Sequence, residues 1–351
     1  MENANFGVAV FETAMQRALE LARRSPAFGE NPQVGAVLIN DAGEIIAEGW
    51  HKGAGTPHAE IDALKNLAAK NLSATGLTAV VTLEPCNHTG KTGPCSQALV
   101  EAGVKRVVFG TFDPGKTEGG GRFTLESADI EVITDVLRDE CTRVITPWFT
   151  NKFKKRPYVV VKWAASVDGR TAAADGTSKW ITGAEARADV HERRAASQAI
   201  MVGTNTVALD DPELTARKPD GSLYENQPLR VIVGEREIAS SARIFNTAPN
   251  LGLAETVQYK TRDVSSVMQQ LFERGIRQIF VEGGAQLESA LIAEGFADEF
   301  LIYLAPKLIG GAATAIRDIE VASIDQAINL EFIETKKLGA DILIRAVKKE
   351  N

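Results

Sequence analysis

Apolar residues recur at helical spacing from Val8 through Phe11, Met15 and Leu19, which predicts an amphipathic helix over residues 8–24. The period then changes. Gln33–Asn40 and Glu44–His51 read as strands, and Asp41-Ala42-Gly43 between them reads as a hairpin turn. Ile61, Leu64 and Leu67 return to helical spacing behind Pro57. A helix is therefore expected there with His58 and Glu60 in its first turn, where proline is well tolerated. Thr78–Leu83 is a buried-type strand that stops at Glu84-Pro85-Cys86, and Asn87–Gly93 is a polar loop. Pro94 then opens a second helix with Cys95 in its first turn, and Arg106–Thr111 and Ile130–Thr134 add two strands.

The run from Asn151 to Pro157 (NKFKKRP) breaks this alternation. It is basic, contains proline and reads as a solvated linker, so we set the domains at 1–150 and 151–351. Beyond it the pattern resumes. Strands are expected at Tyr158–Trp163, Gln198–Val202, Leu229–Val233, Gln278–Glu282 and Glu299–Leu304. Helices are expected at 184–197, 264–274 and 285–294, and 327–333 with 341–347 as an antiparallel pair. Strands alternating with helices imply layered α/β sheets in both halves.

The length of 351 residues suits two domains, and no apolar stretch is long enough to span a bilayer. The N-terminal segment carries acids early and lacks a basic-then-apolar signal, so no secretory leader is expected. Three cysteines make no disulfide framework, and the cytoplasm is the expected compartment. Charge is uneven. Residues 1–150 hold 13 Lys and Arg against 19 Asp and Glu, a net of −6 within a total of −7. An acidic half disfavours a nucleic-acid partner and favours a small substrate.

That acidic half also carries the chemistry. His58-Ala59-Glu60 is followed by Pro85-Cys86 and Pro94-Cys95. One imidazole and two thiolates offer Zn²⁺ three ligands, leaving a fourth tetrahedral position for water. Glu60 can reach that water without ligating the metal, which makes it the candidate proton shuttle. A histidine-x-glutamate followed by proline-cysteine and a further cysteine is the zinc-deaminase signature. Cys141 reads as a buried apolar residue. In a purely structural zinc knot His88 could complete the ligand set, but Glu60 and the two prolines would then have no role.

In the second half glycines follow strands at Val167-Asp168-Gly169, Val202-Gly203-Thr204 and Glu282-Gly283-Gly284. The last opens a helix, where backbone amides can hold a phosphate, although no G-x-G-x-x-G fingerprint is present. Together, the motifs Asn31-Pro32-Gln33-Val34-Gly35, His58-Ala59-Glu60, Thr82–Cys95, Ser166–Arg170, Ser178–Thr182, Asp210–Arg217, Val281–Gly284 and Ala305–Gly311 resemble the bifunctional riboflavin-biosynthesis deaminase/reductase family over nearly the whole chain. The resemblance implies a cytidine-deaminase-like three-layer α/β/α domain followed by a dihydrofolate-reductase-like α/β domain. It implies Zn²⁺ and NADPH as cofactors and a homo-oligomer joined through the reductase half.

By that resemblance His58, Cys86 and Cys95 bind zinc, Glu60 shuttles protons, and Asn31, His51 and Lys91 hold the substrate's ribose and phosphate. In the reductase half Lys162, Ser178, Arg194, Leu214, Arg217 and Glu282 face the substrate. Ala164, Trp180, Thr206, Asp210, Gly283 and Gly284 face the cofactor. The chain departs from the family at Gly93, at Gly115-Lys116 and at Gly234-Glu235. Glu235 would repel a cofactor 2′-phosphate, and Arg236 could offset it. A nucleic-acid deaminase, a zinc-stabilised binding protein without turnover and an enzyme with a weakened reductase half are the rival readings.

Overall fold

The computed structural model describes residues 2–88, 93–115, 119–245 and 255–349, and side chains of the first helix from Ala9 onward. Two compact units form, Met1–Lys154 and Lys155–Asn351.

The first unit runs α1 (Glu2–Ala22), β1 (Gly35–Ile39), β2 (Ile45–Trp50), α2 (Ala59–Ala68), β3 (Thr78–Leu83), α3 (Cys95–Glu101), β4 (Arg106–Thr111), α4 (Gly121–Ser127), β5 (Glu131–Ile133) and α5 (Arg138–Phe149). The sheet order is β2-β1-β3-β4-β5, with β1 antiparallel to both neighbours and β3, β4 and β5 parallel. β1 and β3 are buried at every position because helices cover both faces. Met15, Ala18 and Leu19 of α1 pack on Val37, Ile39, Val80 and Val108. Ala63, Leu67 and Leu99 of α2 and α3 pack on Ala36, Leu38, Ala79 and Val81 from the other side. The result is the expected α/β/α sandwich. Cys141 is buried among the α1-side apolar residues.

Gly49 on β2 lets α2 come to backbone contact. A Cβ there would lie 2.4 Å from the Ala59 carbonyl oxygen and 2.3 Å from the Ala63 nitrogen. Gly49→Ala must push away the helix that begins at His58, so the first unit should lose ~1–3 kcal/mol, measured as a lower urea midpoint at unchanged slope.

The second unit runs β6 (Tyr158–Ser166), α6 (Ala184–Ala196), β7 (Ala199–Gly203), α7 (Thr204–Asp210), β8 (Leu229–Val233), β9 (Thr256–Tyr259), α8 (Val264–Glu273), β10 (Gln278–Val281), α9 (Ala285–Ala293), β11 (Ala297–Ala305), β12 (Leu330–Leu338) and β13 (Asp341–Lys348). Its eight strands lie in the order β12-β13-β11-β6-β10-β7-β8-β9. Neighbours from β11 to β9 are parallel, whereas β13 is antiparallel to β11 and to β12. Alternate residues of β6 face opposite layers. Val159 and Val161 pack with α8 and α9, and Tyr158 and Val160 pack with Ala186 and Val190 of α6. That is why the run at 158–161 is apolar without alternation.

Four elements were not anticipated: α4, α5, α7 and β9. Cys141, Ile145 and Trp148 are the buried positions of α5 at helical spacing, but Pro147 within the same turn hides the signal. The stretch expected to be a solvated linker begins instead as a π-helical turn, Thr150–Lys154, with Thr150 and Asn151 buried. The twelfth strand lies at Leu330–Leu338, later than the expected 327–333.

Candidate functional site

The three candidate metal ligands come together from three element ends. His58 is the N-cap of α2, Cys86 lies just past β3, and Cys95 is the first residue of α3. Their ligand atoms all lie within 4.8 Å of one another, and no other such cluster occurs among the described residues. The Nδ1 atom of His58 is 3.6 Å from Cys86 Sγ and 3.4 Å from Cys95 Sγ. With Zn–S of ~2.3 Å and Zn–N of ~2.0 Å, two corners of a tetrahedron lie ~3.6 Å apart. The donor set therefore fits Zn²⁺ in type, count and spacing. His88 lines the same cavity but does not join the cluster, so the four-ligand structural alternative finds no support here.

The local electrostatics favour thiolate at Cys86. The backbone N–H of Cys95, at the α3 N-terminus, donates to Cys86 Sγ at 3.4 Å. Hydrogen bonds from Cys95 and His58 hold the Cys86 thiol far below the usual thiol range, and its hydrogen bond with Cys86, together with burial, pushes Cys95 up. Glu60 is 5% exposed, and burial first, then the charge of Cys86, raises its carboxyl to about 7. Cys86→Ser should leave the fold intact and abolish stoichiometric zinc, as read by elemental analysis after dialysis. A fully metallated variant would show that the ligand set is wrong.

Asn31, His51, His58, Glu60 and Cys86 line one cavity of ≈ 120 Å³. His51 Nδ1 faces the Pro57 carbonyl oxygen at 3.1 Å, so that nitrogen carries the proton and Nε2 accepts from the Asn31 amide at 3.1 Å. Burial lowers the His51 pKa, which keeps the ring neutral. Lys91 lies outside the described residues.

Glu84 is a site-building residue that motif reading left unassigned. It is buried, and its carboxylate accepts from the backbone N–H groups of Asp113, Gly120 and Arg122 at 3.3, 3.1 and 3.1 Å. It thereby pins the Cys86 turn to the start of α4. Only its place directly before Pro85-Cys86 could have drawn attention to it.

The second unit has a cleft of ≈ 1090 Å³ at the carboxyl ends of β6, β7, β8 and β10, where ligands bind in open parallel sheets. Lys162, Ser178, Arg194, Leu214, Arg217 and Glu282 all line it. So do Ala164, Trp180, Thr206, Asp210, Gly283 and Gly284. Gly283 has φ of +101°, which favours glycine, and a Cβ on Gly284 would lie 3.2 Å from Thr206 Oγ1. The turn leads into α9, whose N-cap Gly284 offers no capping side chain. The Leu287 and Glu288 N–H groups already donate to the Gly284 carbonyl oxygen at 2.9 and 3.2 Å, so the amides of Ala285 and Gln286 are the ones a phosphate could use, and the cleft fits a dinucleotide beside a second ligand.

The charges in this cleft are mostly paired. Arg194 donates to both Glu282 oxygens at 2.5 and 2.8 Å and to the Thr215 carbonyl at 2.9 Å. Lys162 Nζ is 3.9 Å from Glu282 Oε2. Arg217 binds Glu213 at 2.6 Å and is the more open of the two arginines. Trp180 is 65% exposed, with the Arg187 guanidinium 4.6 Å from its ring. Glu235 pairs with Arg262 at 3.0 Å, so Arg262 is the cation that offsets it. A further acid, Glu288, lines the cleft from α9.

A zinc-deaminase site in an α/β/α sandwich and a nucleotide-sized cleft over a parallel sheet define a two-activity protein, a deaminase joined to a reductase. Comparisons with known proteins agree. The family model for the cytidine and deoxycytidylate deaminase zinc-binding region matches residues 10–111, and that for the RibD C-terminal domain matches residues 157–344. The riboflavin biosynthesis protein RibD of Mycobacterium tuberculosis is 42% identical over 317 residues, covering 90% of this chain and 91% of that protein. The solved deaminase/reductase of Thermotoga maritima superposes with a TM-score of 0.79 at 33% identity, covering 98% of this chain and 100% of that one. Acinetobacter baumannii RibD gives 0.74 at 36%, with the same coverage.

The chain belongs to the RibD family of bifunctional deaminase/reductases of riboflavin biosynthesis. It is an enzyme with hydrolase and oxidoreductase activities.

Proposed function

We propose that the first unit deaminates 2,5-diamino-6-ribosylamino-4(3H)-pyrimidinone 5′-phosphate, and that the second then reduces 5-amino-6-(5-phosphoribosylamino)uracil with NADPH. The observation that carries the first half is the three-ligand cluster with a buried carboxyl two residues from His58. In this reading His58, Cys86 and Cys95 hold Zn²⁺. Bound there, such an ion would supply an activated water as nucleophile at neutral pH. Glu60 takes the proton of the attacking water and returns protons to the ring nitrogen and the departing ammonia. Its burial supports this, because a carboxyl with a pKa near neutrality can both accept and donate. Asn31 and the neutral His51 orient the ribose, and Lys91 meets the phosphate.

In the second unit Lys162, Ser178, Leu214 and Glu282 position the ribosylaminouracil. Arg217 is the more available partner for the phosphate, since Arg194 already holds Glu282. Ala164, Trp180, Thr206, Asp210 and the Gly283-Gly284 turn seat the cofactor, which supplies the hydride when bound. The preference for NADPH rests on Arg236 and Arg262, the latter already neutralising Glu235. Thiolate ligands need a reducing compartment, which favours the cytoplasm.

The test is to supply the diaminopyrimidine phosphate with and without NADPH and to follow ammonia and nicotinamide oxidation separately. Ammonia should appear without NADPH, and oxidation should follow only once ammonia has formed. Oxidation without prior ammonia, or no ammonia from zinc-loaded protein, defeats the reading.

A further inference from the structure

The basic run NKFKKRP has the composition of a solvated linker, yet its second residue belongs to the deaminase cavity. Lys152 lies in the π-helical turn Thr150–Lys154, which is anchored by buried Thr150 and Asn151. It is half-buried and lines the same ≈ 120 Å³ cavity as Asn31, His51, His58 and Glu60. Among the described residues it is the one lysine or arginine that does so, and the wall also holds three acids, Glu60, Glu84 and Asp113. Aromatic contacts fix where the ammonium sits. Lys152 Nζ is 4.9 Å from the Trp148 ring centroid and 5.6 Å from that of Phe153, on faces that attract a cation. Trp148 is buried, and its Nε1–H donates to the Glu30 carbonyl oxygen at 3.0 Å. Glu30 directly precedes Asn31, whose amide meets His51 Nε2 at 3.1 Å. One pinned indole therefore ties the ammonium to the Asn31–His51 side of the cavity.

A ribosyl phosphate carries a dianion into the acidic half of the chain. Three carboxyl groups in the wall oppose that charge, so the phosphate needs a cation that reaches it inside the cavity. Resting on the deaminase reading above, we propose that Lys152 is a substrate-specificity residue of the deaminase, whose ammonium binds the 5′-phosphate and selects phosphorylated over dephosphorylated substrate. A compact ammonium on a flexible stem suits a phosphate, which it meets as a point charge. The assignment adds a second cation to Lys91. Lys91 belongs to the run between the two cysteines, whereas Lys152 comes from the C-terminal end of the unit. The side of the cavity that carries Asn31 and His51 thereby gains a positive charge beside the groups read as holding the ribose.

Lys152→Met keeps the stem and removes the charge. With zinc-loaded, full-length protein, KM for the diaminopyrimidine ribosyl phosphate should rise about 10–10²-fold, with kcat and zinc content unchanged. KM for the same compound without its 5′-phosphate should stay at the wild-type value. A mere loss of packing against Trp148 would instead weaken both substrates alike. Lys152→Arg should restore most of the preference for the phosphorylated form. As a competitive inhibitor of ammonia release, ribose 5-phosphate should lose affinity by the same factor in Lys152→Met, and its inhibition should become less sensitive to salt. Equal losses for the two substrates, or an unchanged KM and inhibition constant in Lys152→Met, overturn the assignment. A zinc-loaded wild type that releases no ammonia from either substrate sinks the deaminase reading instead, and this inference with it.

Discussion

Glu60→Gln should stop ammonia release, by about 10²–10⁴ in kcat, while zinc content and nicotinamide oxidation by the second unit stay at wild-type values. Glutamine has the same shape and can still accept a hydrogen bond, so the buried pocket around residue 60 should keep its packing. What it cannot do is take a proton from the attacking water and pass it on. Zinc should remain, because the three ligand atoms proposed for it come from His58, Cys86 and Cys95. The reductase should be untouched, because its cleft is lined only by residues of the second unit. The measurement is ammonia formation beside elemental zinc and NADPH oxidation on pre-deaminated substrate. Deamination at the wild-type rate would remove Glu60 from the mechanism.

The second large effect is on stability. Glu282→Leu should cost the second unit about 3–5 kcal/mol, the usual result of leaving one member of a buried ion pair without its partner. Arg194 and Glu282 have side chains only 15% and 7% exposed, and two short hydrogen bonds join them. Removing the carboxylate strands a guanidinium inside the protein. Arg194→Leu with Glu282→Leu should recover part of the loss, because both charges are then gone, and a double-mutant cycle by urea unfolding reads the difference.

The same pair sets an acid limit. Burial alone would raise the Glu282 carboxyl, but the charge and hydrogen bonds of Arg194, helped by Lys162, hold it below the ordinary 4.5. A depressed folded-state value means its stabilisation is complete above 4.5 and is lost as pH falls through the folded value.

Much of the deaminase half was legible from residue order. β3, β4 and the first turn of α3 follow from apolar runs that stop at Glu84-Pro85-Cys86 and restart at Pro94-Cys95. Ligand types at helix starts and after a strand are a local matter, and local rules suffice for them. α5 was hidden because Pro147 and the β-branched residues before it blur a period that only burial against α1 and β4 makes decisive.

The chain by itself determined which atoms could bind zinc and that strands and helices alternate in both halves. Tertiary structure decided which charges are already used. Arg194 and Arg217 look alike in sequence, but folding commits the first to Glu282 and leaves the second more open. It also decided that Glu84 braces a loop and that Glu288 stands unpaired beneath a glycine turn. The reason is physical: a side chain's type is fixed by the chain, whereas its partners and its exposure to water depend on residues distant in sequence, 88 positions apart for Arg194 and Glu282.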